Sequence, residues 1–413
     1  MRRASGRPAL AMMAVVLVAC GGGGNGGSTP PAAVVASITI TPSGGLNFAA
    51  LQATQQLTAV VRDQNGSAVA ATVQWTSDDP TVATVSAGGL VTAVKNGQSR
   101  ITARAGAATA SEVAIVAQRA TALAIVSGSG QTGTVGAVLL APIVASARDA
   151  QGNPVAGASV SFAASGGGKV GSTSEIAGAN GEASTTWTLG TSTTVAQSVI
   201  ASVPGAAQAT ATFTATPVAD APVAAVKFSG DNQRWSVTKT LPDPISIRVV
   251  DRFNNGVAGT SVSYAALAGG GTVSAPTVVT DANGEARVNW TLGVTEGGQS
   301  ARGTLTVPAT SMTFFATATR LDVGNIGAVP FRVGCSITIS GSGFDLKLSN
   351  NIVTIDSVPA KVTGGSPSSS NPTLIVTVPP LPNPVGHLAY VEVTAYGSTF
   401  GTLAEFDPDT NNC

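Results

Sequence analysis

Apolar and polar residues alternate with a period of two along most of the chain beyond residue 34. Ile38 and Ile40 sit between polar neighbours, as do Leu57, Ala59 and Val61, then Val73 and Trp75; short apolar stretches follow at 82–85, 90–94, 101–103 and 113–116. Successive side chains of a strand point to opposite faces, so this pattern predicts half-buried β-strands rather than helices. Turn-forming residues separate the strands at Asn65-Gly66, at Asp78-Asp79-Pro80, at Gly88-Gly89 and at Asn96-Gly97. Seven short strands between residues 35 and 117 are too many for one open layer, and predict a two-sheet sandwich. Trp75 is expected to fill its centre, Pro80 to fix a turn, and Gly89 to take a positive φ.

The same alternation continues to the end of the chain, and part of it repeats. Residues 149–162 align without a gap on residues 251–264, a shift of 102. Val155-Ala156-Gly157 matches Val257-Ala258-Gly259, Asn180-Gly181-Glu182-Ala183 matches Asn283-Gly284-Glu285-Ala286, and Trp187-Thr188-Leu189-Gly190 matches Trp290-Thr291-Leu292-Gly293. A period near 100 residues is duplication of a whole domain, since solenoid repeats run about 20–50 residues. Asn153-Pro154 in the first copy becomes Asn255-Gly256 in the second, which changes the turn chemistry without requiring a different fold. Residues 217–222 read as the linker between the copies. The final segment opens with Ser336-Ile337-Thr338-Ile339-Ser340-Gly341-Ser342-Gly343-Phe344 and continues through alternating stretches at 351–362, 373–380 and 391–394.

These residues carry three resemblances. Residues 75–85, with Gly89-Leu90-Val91-Thr92-Ala93-Val94 and Gly97 before Ile101-Thr102-Ala103, resemble group 2 bacterial Ig-like domains. The two repeats, with their Asp-x-x-Gly-Asn-Pro-Val-Ala-Gly stretch followed by Asn-Gly-Glu-Ala, resemble the group 1 domains of invasin- and intimin-type adhesins. The last segment is similar to an IPT/TIG domain. The resemblances imply an all-β chain of four tandem Ig-like sandwiches, at 35–118, 119–217, 222–319 and 326–413.

The N-terminus breaks the pattern. Arg2, Arg3 and Arg7 precede an uncharged apolar stretch at 9–19 that is shorter than the roughly 20 residues needed to span a bilayer. This predicts a signal peptide over residues 1–19. Leu17-Val18-Ala19-Cys20 resembles the bacterial lipobox, which implies that Cys20 carries a thioether-linked lipid, begins the mature chain and anchors it to a membrane. The Gly-rich stretch that follows cannot bury apolar surface, so residues 20–34 are expected to be a tether. Gly21 rather than Asp after the cysteine favours the outer membrane, at its surface or periplasmic face, if the enteric sorting rule holds here.

Charge and chemistry remove several function classes. Charged residues make up 10% of the chain and the formal net charge is zero, which leaves no basic face for nucleic acid. With Cys20 lipidated, Cys335 and Cys413 remain, and in an oxidising compartment they are expected to pair; two free thiols are the alternative. His387 is the only histidine, and no nucleophile-elbow pattern accompanies it. Asp281-Ala282-Asn283-Gly284-Glu285 has some flavour of a calcium loop, but lacks the full ligand run and reads as a tight hairpin. No catalytic residue, cofactor or metal site is expected. Trp75, Trp187 and Trp290 alternate as core residues do, which leaves Trp235 as the tryptophan available for stacking on a sugar. The expected function is a non-enzymatic envelope lipoprotein that presents binding surfaces to a protein or carbohydrate ligand, for adhesion or envelope interaction. A passive spacer or coat protein and a carbohydrate-binding accessory protein remain as alternatives.

Overall fold

The alternating stretches fold as strands. A computed structural model describes residues 33–267, 269–327, 333–381 and 388–405, and among these the only helical element is the 3-10 turn Leu348–Asn350. The signal peptide, Cys20, most of the tether, His387 and Cys413 lie outside the described residues. The protein is all-β and built of tandem Ig-like sandwiches, with four separate apolar cores. By contact the chain divides into two compact units. One holds the first module and Asp149–Asn153, and the other holds Ala120–Arg148 and everything from Pro154 onward.

In the first unit, Ile38, Ile40, Leu57, Val61, Val91, Ile101 and Ala103 face inward and form the core. The module has nine strands rather than seven, because Leu46–Phe48 and Thr54–Gln56 are strands as well. Trp75 does not fill the centre. It is half-buried and packs against Gly89, whose φ of +85° and close approach to the Leu57 carbonyl leave no room for a side chain. Leu57 and Ile101 are the large side chains sealed in the middle.

The second and third modules share one topology. Each has a three-stranded sheet, a five-stranded sheet and a short two-stranded ribbon that ends in the buried Trp187 or Trp290. Burying such a side chain contributes roughly 1.5–3 kcal/mol. The linker between these modules is shorter than expected. Pro217 and Val218 belong to the strand Ala206–Val218 and pair with Gly133 and Thr134. The Asn153-Pro154 and Asn255-Gly256 turns both close with an isolated bridge, Arg148 to Pro154 and Val250 to Gly256, so the substitution leaves the fold unchanged.

One feature of the first three modules escapes hydrophobic periodicity. The opening strand of each pairs antiparallel within one sheet, then the chain crosses to the other sheet and pairs parallel with the module's last strand. Leu46–Phe48 runs parallel to Ala108–Val116, Gln131–Thr134 to Ala206–Val218, and Gln233–Ser236 to Ala309–Thr319. A segment parallel to the last strand ends where the module ends, so the residues just beyond it lie next to whatever follows in the chain. Gln131 and Gln233 fix the crossing in the same way. Each side-chain amide donates to two carbonyls and accepts one N–H, on Gly128, Ala141 and on Gly230, Asp243 respectively.

The fourth module is a seven-stranded arrangement in which Val358–Gly365 pairs with strands of both faces. Ile337, Ile339, Phe344, Val376, Val391 and Val393 fill its interior.

Candidate functional site: module joints and the outer face of the last module

The Asp-x-x-Gly turn noted in the repeats is a capture device. Asp251 Oδ1 accepts the N–H groups of Phe253 (2.8 Å) and Asn255 (2.9 Å), which folds the turn back on its own carboxylate. Asp251 Oδ2 is thereby free to accept the N–H of Asp220 (3.0 Å) in the linker and the Asn255 side-chain amide (2.9 Å). Asn255 reaches into the second module, donating to the Thr191 carbonyl (2.8 Å) and accepting from Thr193 N–H (3.0 Å). Arg252 pairs with Asp220 at 3.0 Å and lies over the Phe253 ring, which packs against Gly136. Burial pushes the Asp251 carboxyl pKa up, but the Asn255 amide and the backbone N–H groups outweigh it and hold the pKa below its ordinary value. Within the first unit, Asp149 and Asn153 use the same chemistry. Asp149 Oδ2 accepts from Leu51 N–H and the Gln118 amide, and Asn153 donates to the Leu51 carbonyl.

Trp235 has a different role from the one its sequence suggested. It is half-buried and packs against the cores of both the third and the fourth module. Its ring meets Tyr396 edge-on, with centroids 6.1 Å apart and an interplanar angle of 74°. Arg234 lies over the other partner of this contact, its guanidinium 5.7 Å from the Tyr396 ring centre. Ser236 N–H donates to the Tyr396 carbonyl at 3.2 Å. Trp235 is therefore occupied by a protein partner, which removes the sequence support for a sugar-stacking platform at this position.

Asp281 closes a hairpin. Its carboxylate accepts the N–H groups of Asn283 and Glu285, and Gly284 takes a φ of +76°. Among the described residues no three His, Cys, Asp or Glu side chains converge as a metal site would require. Cys335 is buried and disulfide-bonded. Its pairing with Cys413, which lies outside the described residues, stands as a proposal.

The outer face of the last module carries an exposed apolar strip. Tyr390 and Leu403 are directly opposed on the strands Leu388–Ala395 and Ser398–Glu405, with Leu388 on the same face. All three are exposed. The Tyr390 ring lies across Gly401, where any side chain would collide with it. Asp356 pins the strand beneath, accepting Tyr390 N–H at 2.7 Å. Hydrophobic periodicity did not single out this strip, because its inward neighbours Ala389 and Val391 are apolar too.

Comparison with known proteins agrees with these modules. Residues 34–116 match the family model of the bacterial Ig-like domain (group 2), and residues 328–406 match the IPT/TIG domain. No curated protein matches the chain. Among solved structures, the integrin-binding protein invasin is 16% identical, covering 90% of this chain and 78% of its own, with a TM-score of 0.40. The surface layer protein SbsC, domains 1–6, is 13% identical over 92% of this chain and 54% of its own, at a TM-score of 0.31. The ICAM-5 D1–D4 ectodomain is 14% identical over 89% of this chain and 98% of its own, also at 0.31. The chain thus carries a group 2 bacterial Ig-like domain at residues 34–116 and an IPT/TIG domain at residues 328–406, the first and last of its four sandwich modules.

Proposed function

We propose that this chain is a non-enzymatic, lipid-anchored cell-envelope protein whose Ig-like modules present the last of them to a protein ligand, for adhesion or envelope interaction. The observation that carries the reading is the exposed strip of Leu388, Tyr390 and Leu403 on the module most distant in sequence from Cys20. Large apolar side chains clustered on one solvent face mark interaction surfaces more often than scattered ones do. The sequence of residues 1–20 supports export and a lipid on Cys20, and the two middle modules are read as group 1 bacterial Ig-like domains. The titratable clusters among the described residues are spent on turns and joints, which supports a binding or structural role over chemistry.

The reading is tested in two steps. Proteinase K applied to intact and to permeabilised cells places the last module: cleavage on intact cells supports adhesion, and protection until permeabilisation overturns it. Binding of the soluble chain to cells is then compared with that of Tyr390→Ala and Leu403→Asp. Loss of binding in both variants, with unchanged circular dichroism, supports this face. Absence of binding by the unaltered chain favours a passive spacer.

A further inference from the structure

We propose that the joint between the third and fourth modules is a releasable latch built on Trp235, Ser236 and Tyr396, whereas the joint between the second and third modules is permanent. The difference lies in what happens to the polar atoms sealed in each joint. At the second-to-third joint both carboxylate oxygens of Asp251 and both side-chain polar atoms of Asn255 have protein partners, several of them across the joint. Opening it breaks those bonds and exposes a carboxylate that had several partners.

At the third-to-fourth joint the attraction is mainly apolar. Trp235 belongs to both cores and stands edge-on to Tyr396 at 6.1 Å. Two polar atoms beside it, Arg234 Nε and Ser236 Oγ, are buried without a protein partner, and Ser236 is only 1% exposed. A donor that leaves water without finding an acceptor opposes closure, and opening restores its hydration. Tyr396 adds to this, since it holds a φ of +46° that side chains other than glycine disfavour. Closure of this joint is therefore a balance between one large aromatic contact and several opposing costs.

The latch belongs to the third module alone. The residue that corresponds to Trp235 in the second module is Gly133, one residue before the end of the parallel segment as Trp235 is, and any side chain there would collide with Leu139. When the latch opens, the last module is released to reorient while the second and third stay joined. This holds whether or not the last module binds a ligand.

Hydrogen exchange resolved to single amides, measured on the full chain, tests the idea. The reporters are the N–H of Ser236, which crosses the latch, and the N–H groups of Thr193 and Asp220, which bond into the second-to-third joint. The expected protection factor of Ser236 is at least tenfold lower than those of Thr193 and Asp220. Equal or reversed protection overturns the proposal. Ser236→Ala removes the orphaned hydroxyl and keeps the amide, so exchange at position 236 should slow several-fold; an unchanged or faster rate overturns the proposal. Trp235→Ala should leave position 236 unprotected with no change at Thr193 and Asp220.

Discussion

Trp187 and Trp290 occupy the same position in two copies of one fold and are both fully buried, yet only the Trp290 indole N–H donates a hydrogen bond, to the Gly270 carbonyl. Trp187 Nε1 is buried without a partner. Replacing either ring by Phe removes similar volume, so the cavity costs are comparable. Trp290→Phe also strands the buried Gly270 carbonyl, whereas Trp187→Phe discards a donor that had no acceptor. Trp290→Phe should therefore cost about 1–3 kcal/mol more than Trp187→Phe. Parallel urea unfolding of the two variants checks this, and equal losses would mean that the indole bond contributes nothing.

The joint between the second and third modules should depend on pH. Asp251 titrates below its ordinary range despite burial, because the Asn255 amide and the N–H groups of Asp220, Asn255 and Phe253 bind its ionised form. A carboxyl whose folded pKa is depressed contributes stability above its unfolded pKa of about 3.9 and loses it as pH falls through the folded value. Protection of the Thr193 and Asp220 amides should therefore be level from pH 7 to pH 5 and fall below pH 4. Asp251→Asn should lower that protection at pH 7 and flatten its dependence between pH 5 and 3. A joint that keeps full protection at pH 3 would show that this carboxylate is not what holds it.

Strands, repeats and the two buried tryptophans of the repeats were legible in the sequence because each rests on local alternation. Ile38, Ile40, Val61 and Ile101 face inward as a period of two requires. What escaped depends on pairing across the sheet or between modules. Gln131–Thr134 and Gln233–Ser236 are short and largely polar, so nothing in their pattern announces a strand that changes sheets. Trp75 alternates correctly, yet the close approach of Gly89 to Leu57 holds it at the rim. Trp235 reads as an exposed aromatic because its partner, Tyr396, belongs to another module. The Asp149 and Asp251 turns were visible as a shared motif, but their second carboxylate oxygen acquires a role only once a neighbouring segment is in place.

Thr238 is a β-branched residue held at a φ of +59°, two positions beyond the parallel segment Gln233–Ser236. The same place in the second module is taken by Gly136, at +72°. The left-handed region costs a residue with a side chain about 1–2 kcal/mol, and glycine returns part of that gain through its freer unfolded chain, about 0.4–1 kcal/mol. Thr238→Gly should stabilise the protein by about 0.5–1 kcal/mol in thermal or urea unfolding. The reverse change, Gly136→Thr, should destabilise it more, because a Cβ at that position would lie 3.0 Å from the Phe253 ring.

Pro154 and Gly256 give the sharpest contrast between the repeats. Both follow the captured asparagine and both form the bridge that closes the turn, Pro154 with Arg148 and Gly256 with Val250. In the second module the proline ring is tolerated because its neighbour across the turn is Gly181, which offers no side chain; a Cβ on Gly181 would meet the Pro154 ring at 2.8 Å. In the third module the Asn283-Gly284 hairpin lies closer, and any Cβ on Gly256 would run into the Asn283 carbonyl. That obstacle is backbone, tied down by Asp281 through the Asn283 and Glu285 N–H groups, so it cannot swing aside as a flexible side chain would. Gly256→Ala should therefore destabilise the third module by about 2 kcal/mol or more, in the range of overpacked sites, and Gly256→Pro by at least as much. Pro154→Gly in the second module should cost about 0.4–1 kcal/mol, the entropy that proline removes from the unfolded chain. Calorimetric unfolding of the three variants reads the difference directly. If Gly256→Ala melts with the parent protein, the hairpin yields, and the two turns are interchangeable after all.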